Sequence, residues 1–194
     1  WSALWRELSE RQNRRRQLEY GNVSDPWASS AWRFRYRVHE RWARPDSSRE
    51  LLAEHLRACP GCTLLDIGAG TGAWEVHLAQ IATRITAVEP SPSMIAVMRE
   101  YLETCGITNV DIVGGLWPEV DVPVHDFTLC AHAMYGIPDF QAFIKSMESA
   151  TRRTCYLLLR APKATGIFAQ AAQHVWGHPY DSPNFQVAYN ALMQ

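Results

Sequence analysis

The 194 residues fit one domain comfortably, and a content of 47% apolar and 20% charged residues excludes an intrinsically disordered chain. Nineteen Lys and Arg against twenty Asp and Glu leave a net charge of −1, which provides no overall field to draw in a nucleic acid. No run of eighteen apolar residues occurs, and the N-terminus lacks the apolar core of a signal peptide, so a cytoplasmic protein with no membrane span is expected.

Trp1, Leu4, Trp5 and Leu8 recur at helical spacing and predict an amphipathic helix over residues 1–20. Residues 1–50 hold eleven Arg, no Lys and seven acids, whereas the remainder is net acidic. Because Glu7, Glu10 and Glu19 interrupt the Arg run, a solvated helical face explains it better than a phosphate-binding patch. Asp25 to Ser30 reads as a turn and Trp32 to Trp42 as an aromatic-rich helix, so residues 1–46 are expected to form a helical cap or lid ahead of a domain over 47–194. Cys59-Pro60-Gly61-Cys62 has the CxxC spacing. No second pair follows it, however, and five scattered cysteines argue for reduced thiols and no metal site.

From Ser47 onward, helices alternate with short apolar strands. Helices are expected at 48–58, 75–82, 93–105, 140–150, 166–176 and 185–193, and strands at 63–67, 84–89, 110–113, 126–130 and 155–160. This alternation predicts an α/β fold with a doubly wound, mostly parallel sheet covered on both faces. The first strand ends in Leu64-Leu65-Asp66-Ile67-Gly68-Ala69-Gly70-Thr71-Gly72, where missing Cβ atoms admit a ligand to the backbone. Glu89 closes the second strand, the place where such a sheet presents a carboxylate to ribose hydroxyls. With Ala73 the loop also satisfies the GxGxxA spacing of nicotinamide-cofactor enzymes.

The combination of Asp66 inside the strand, the extra Gly72 and Glu89 resembles the class I, seven-stranded S-adenosylmethionine-dependent methyltransferases, over about residues 60–160. The resemblance implies S-adenosylmethionine as cofactor and S-adenosylhomocysteine as product. Gly68, Ala69, Gly70 and Gly72 would pass close to the methionine moiety, Asp66 would anchor its amino group, and Glu89 would bind both ribose hydroxyls. Pro90 and Met94 would flank adenine, with a core position as the other reading of Met94. Gly115, Leu116 and Trp117 would hold adenine through backbone and apolar contacts, since the family's usual acid or amide is missing there.

Residues 126–135, which include Cys130, Ala131, His132 and Tyr135, resemble the family's fourth motif beside the reactive methyl. His132 is the candidate general base, with a strand-end histidine bonded to backbone as its plainer reading, and Tyr135 a candidate substrate contact. Asp139 reads as a helix cap, His125 as structural, and Arg160 as a salt-bridge or acceptor-binding residue. The loop from Trp176 to Asn184 is a further candidate for the substrate cavity.

The Asn/Asp-Pro-Pro-aromatic signature of amino-methylating enzymes is absent, and the layout is similar to that of quinone-biosynthesis methyltransferases, so a small-molecule acceptor is expected. The alternatives are an RNA or protein methyltransferase and a non-catalytic cofactor-binding scaffold. After Arg160 only helix-like segments follow, so the family's last two strands are missing, as in a fragment or a minimal variant. The sheet edge this leaves open would suit a second copy of the chain.

Overall fold

The computed structural model describes residues 1–21, 23–162 and 166–194. In chain order the elements are α1 (Ser2–Tyr20), α2 (Ala31–Trp42), α3 (Ser47–Arg57), β1 (Thr63–Ile67), α4 (Ala73–Leu78), β2 (Arg84–Glu89), α5 (Pro92–Thr104) and β3 (Val110–Gly114). There follow β4 (His125–Ala131), a 3-10 turn (Met134–Gly136), α6 (Phe140–Ser149), β5 (Thr151–Leu158), α7 (Ile167–Trp176) and α8 (Phe185–Leu192). They group into two compact units, one of residues 24–131 and 148–156, the other of residues 1–23, 132–147 and 157–194.

The first unit is built on the five-stranded sheet, in the order β3-β2-β1-β4-β5. β1 runs parallel to β2 and β4, with Leu65 opposite Thr86 and Thr128, and β2 runs parallel to β3, with Ala87 opposite Ile112. Leu64, Leu65, Ile85, Ala87 and Leu129 are fully buried, as strands covered on both faces require. The chain winds from β1 outward to β3 and then returns to place β4 on the other side of β1. This reversal makes the carboxyl ends of β1 and β4 the switch point, where open α/β sheets bind ligands.

The largest departures from the expected boundaries are in β5 and α4. β5 begins at Thr151 instead of Cys155, because on an edge strand Arg152, Arg153 and Thr154 can face solvent and leave no apolar signal. α4 begins at Ala73 and stops at Leu78 instead of Ala82. Gly72, in the left-handed conformation at φ 83°, launches it, and at its end the Asn109 amide donates to the carbonyls of Ala79 and Ala82 at 2.8 and 3.0 Å.

α2 and α3 belong to this unit. Asp46 caps α3 by accepting the Ser48 and Arg49 amides, and Trp42 of α2 meets Trp74 of α4 edge-on at 5.2 Å and His77 at 5.3 Å. Burial lowers the His77 pKa, with help from the positive charges of Arg49 and Arg57. In the same unit, Asp25 accepts from the Ser91 hydroxyl at 2.8 Å, the Ser93 amide at 3.0 Å and the Trp27 amide at 3.0 Å, tying the segment before α2 to the start of α5. Burial opposes the Asp25 charge, but these hydrogen bonds outweigh it and lower the pKa.

The second unit is helical. Trp5 of α1 is fully buried, stacks on Phe140 at 4.2 Å and donates its indole N–H to the Ile137 carbonyl at 2.8 Å. Arg11 lies over the Trp176 ring at 3.6 Å, and Asn13 donates to the Gly136 carbonyl at 2.8 Å. Asn184 caps α8, accepting the amides of Gln186 and Val187. Among the described residues no helix is long and apolar enough to cross a membrane, and no group of three or more His, Cys, Asp or Glu side chains is placed to hold a metal ion. Cys59, Cys62, Cys105 and Cys155 are reduced thiols.

Candidate active site

The loop from β1 to α4 takes positive φ at Gly68 (77°), Gly70 (62°) and Gly72 (83°), a conformation that L side chains rarely adopt. Two of these positions also have close neighbours. A Cβ on Gly72 would lie 2.7 Å from Met98 Cγ, and one on Gly70 would touch Phe34 of α2 at 3.7 Å. Ala69 is buried between them, packed with Ala87, Met98 and Leu102.

Glu89 ends β2 beside this loop. Its Oε2 accepts the Gly70 amide and its Oε1 the Ser91 amide, both at 2.9 Å. Burial raises its pKa, the two amides pull it down, and the charge of Asp25 raises it. The carboxylate is thus fixed by backbone donors, and each oxygen keeps an acceptor position for a further hydroxyl. The Gly115 amide donates to the Glu89 carbonyl at 3.2 Å, which brings the β3 end to the same edge. Leu116 beyond it is more than half exposed.

Asp66 is satisfied in the opposite way. It is 1% exposed, and apart from the carboxyl of Glu75 no group among the described residues stands as a hydrogen-bond partner to either of its oxygens. Glu75 on α4 is equally buried and equally without a donor, and the two carboxyls interact with each other. Burial is the main reason the Asp66 pKa is raised to about 7. The hydrogen bond from Glu75 lowers it, and the like charge of Glu89 raises it further. Glu75 is pushed well above the usual carboxylate range, by burial first and then by Asp66.

The other cofactor-site candidates divide between surface and core. Pro90 is exposed, and Trp117 and Ala131 are partly buried. Met94 is 2% exposed and packs with Ala31 and Val97, the core position that was its second reading, and Cys130 is fully buried in β4. His125 is structural, its Nε2 bonded to the Thr86 hydroxyl at 2.9 Å in the interior.

His132 and Tyr135 fall in the helical unit, together with Arg160. His132 has φ 60°, the one positive-φ residue other than glycine among those described. Its amide donates to the Leu158 carbonyl at 3.0 Å, and its Nδ1 lies 2.7 Å from the Tyr135 hydroxyl. That hydroxyl also accepts the Arg160 amide at 2.7 Å, and its oxygen has a second acceptor position, so a His132 protonated on Nδ1 can donate to it and leave Nε2 unprotonated. The Arg160 guanidinium lies 4.0 Å from the centre of the Tyr135 ring and donates to Gln12, so it forms a cation-π contact in place of the expected salt bridge. Asp139 caps α6, accepting the Ala142 amide at 3.1 Å. In the 176–184 loop, His178 stacks near both Trp176 and Tyr180.

Sequence reading missed Asp25 and Glu75. Asp25 looked like an ordinary turn residue. The available sign for Glu75 was an acid on the same face of a short helix as the buried Leu78.

A family model for a methyltransferase domain matches residues 64–154. An rRNA adenine N-6-methyltransferase of Streptomyces fradiae is 31% identical over 125 residues, 62% of this chain and 39% of that protein. A demethylmenaquinone methyltransferase of Listeria welshimeri is 22% identical over 117 residues, 58% of this chain and 47% of that protein. The chain therefore spans less than half the length of these relatives. Among solved structures, the DhpI-SAM-HEP complex superposes with a TM-score of 0.53 at 24% identity, covering 77% of this chain and 67% of that one.

Proposed function

We propose that this chain, which belongs to the class I S-adenosylmethionine-dependent methyltransferase family, binds S-adenosylmethionine at the carboxyl ends of β1 and β2 and methylates a small molecule. One observation carries the reading: a buried carboxyl without a basic partner among the described residues, Asp66, and an amide-fixed carboxylate, Glu89, stand on neighbouring strands around a loop of left-handed glycines. Asp66 suits a cationic amino group, because no basic group among the described residues pairs with it, and Glu89 suits a vicinal diol. The bound cofactor supplies an electrophilic sulfonium methyl, and the protein's part is to align the acceptor and exclude water. In the tautomer whose Nδ1–H donates to the Tyr135 oxygen, His132 has an unprotonated Nε2 that would take the acceptor's proton.

Calorimetric titration with S-adenosylhomocysteine tests the site. Glu89→Ala should weaken binding tenfold or more, as expected for hydrogen bonds to a charged group on the order of 1.5–3 kcal/mol. Unchanged affinity in a folded variant would remove the assignment.

RNA is the second acceptor to consider, favoured by the match to rRNA adenine N-6-methyltransferases and by the Arg-rich α1. Against it stand the missing Asn/Asp-Pro-Pro-aromatic segment after β4 and the interruption of the Arg run by Glu7 and Glu10, which pair with Arg11 and Arg14. Steeply salt-dependent RNA binding, lost when Arg14 to Arg16 are replaced by Gln, would favour RNA.

A further inference from the structure

Asp66 and Glu75 present a problem of protons. Two carboxylates repel each other, yet these two interact at full burial with no other donor among the described residues. Such a contact becomes a hydrogen bond only when one of them is a carboxylic acid. A cation paired with Asp66 requires Asp66 to be the carboxylate, which leaves the proton on Glu75, so in the bound state Glu75 donates and Asp66 accepts. Among the described residues the surroundings offer no alternative counter-charge: Glu89 on β2 adds like charge to both, α5 presents Met98 to the adjoining glycine, and α2 presents Trp42 to Trp74 and His77. His77 faces Arg49 and Arg57, which disfavour its protonation, so it too is neutral at pH 7.

We propose that Glu75 is a positioning residue for the cofactor: as a neutral acid it donates to Asp66, holding that carboxylate toward the ligand's cationic amino group, so that cofactor binding expels a proton from the pair. This rests on the cofactor reading above, in which Asp66 anchors the amino group. The balance is simple. The O–H bond of a protonated Asp66 breaks, the proton leaves to solvent, and the ligand's ammonium takes its place as the partner of the carboxylate, while Glu75 keeps its own proton throughout.

The test is the pH dependence of S-adenosylhomocysteine affinity, together with proton release measured by calorimetry in two buffers of different ionisation enthalpy. In the unsubstituted protein, affinity should rise with pH through about 7, with on the order of half a proton released at pH 7. Glu75→Leu removes the donor and raises the proton affinity of Asp66. Binding at pH 7 should fall about tenfold, and the rise should move to higher pH. Glu75→Gln keeps a donor on an uncharged group and should restore affinity to within about threefold. Glu75→Leu binding like the unsubstituted protein at every pH, or Glu75→Gln being as weak as Glu75→Leu, overturns the proposal.

The free protein gives an independent readout. Both carboxyls have raised pKa values, so their contribution to stability is full below the ordinary carboxylate range and is lost as pH rises through about 7. Urea unfolding should show this fall in the unsubstituted chain and a shallower one in Glu75→Gln. A flat profile overturns the shared proton. A folded chain that shows the fall but binds no S-adenosylhomocysteine at any pH overturns the cofactor reading, and Glu75's role with it.

Discussion

The glycine loop after β1 and the helical unit around Trp5 are ordered by different physics. In the loop, backbone torsions and single atoms decide: three left-handed glycines, an amide on Glu89 Oε2, and room for no Cβ at Gly72. In the helical unit, bulk decides: Trp5 fills its site, stacks on Phe140 and surrenders its one polar atom to a carbonyl. A torsion-determined region tolerates few alternatives at a given position, whereas a volume-determined one accepts any residue of similar size.

The largest effect should come from volume. Trp5→Ala is expected to cost about 3–5 kcal/mol in urea unfolding, and Trp5→Phe to recover most of it. If phenylalanine proved as harmful as alanine, the indole hydrogen bond rather than bulk would be the organising contact. Next comes Gly72→Ala, at about 2–4 kcal/mol, from the left-handed torsion together with overlap on Met98. Adding Met98→Ala should relieve the overlap and leave the torsional cost. A double variant as stable as Met98→Ala alone would show that torsion does not govern the loop. Tyr135→Phe should cost about 1–2 kcal/mol through loss of the bonds to His132 and Arg160, and on the catalytic reading should lower methyl transfer while leaving S-adenosylhomocysteine affinity unchanged.

The smallest effect concerns residues 24–46, offered above as part of a lid. Phe34 already lies against Gly70 and Asp25 already binds the start of α5. If the segment moves, amide exchange over these residues should slow on S-adenosylhomocysteine binding. Equal protection with and without the ligand would make it a fixed cap.

The same contrast explains what could be read from sequence. The glycines were legible because torsional demands restrict residue type, and Asp66 and Glu89 because they are acids in and at the end of the strands beside that loop. The strand alternation and the α1 stripe were legible because burial imposes a period. What escaped depends on partners far along the chain. Asn109 ends α4 from thirty residues away, and Asp25 holds Ser91 across sixty-six. The polar start of β5 was hidden because an edge strand can keep its solvent-facing positions polar. Glu75 was hidden because nothing in the letter E distinguishes an acid that keeps its proton from one that loses it.

The Trp42, Trp74 and His77 rings make the protein its own optical probe. Trp74 follows the glycine loop by two residues, and its edge-on contact with Trp42 couples two indole transitions. Any shift of α4 against α2 should therefore change the near-ultraviolet circular dichroism. His77, neutral at pH 7, should quench Trp42 only when acid protonates it, so fluorescence at neutral pH reports the loop without interference from the imidazole.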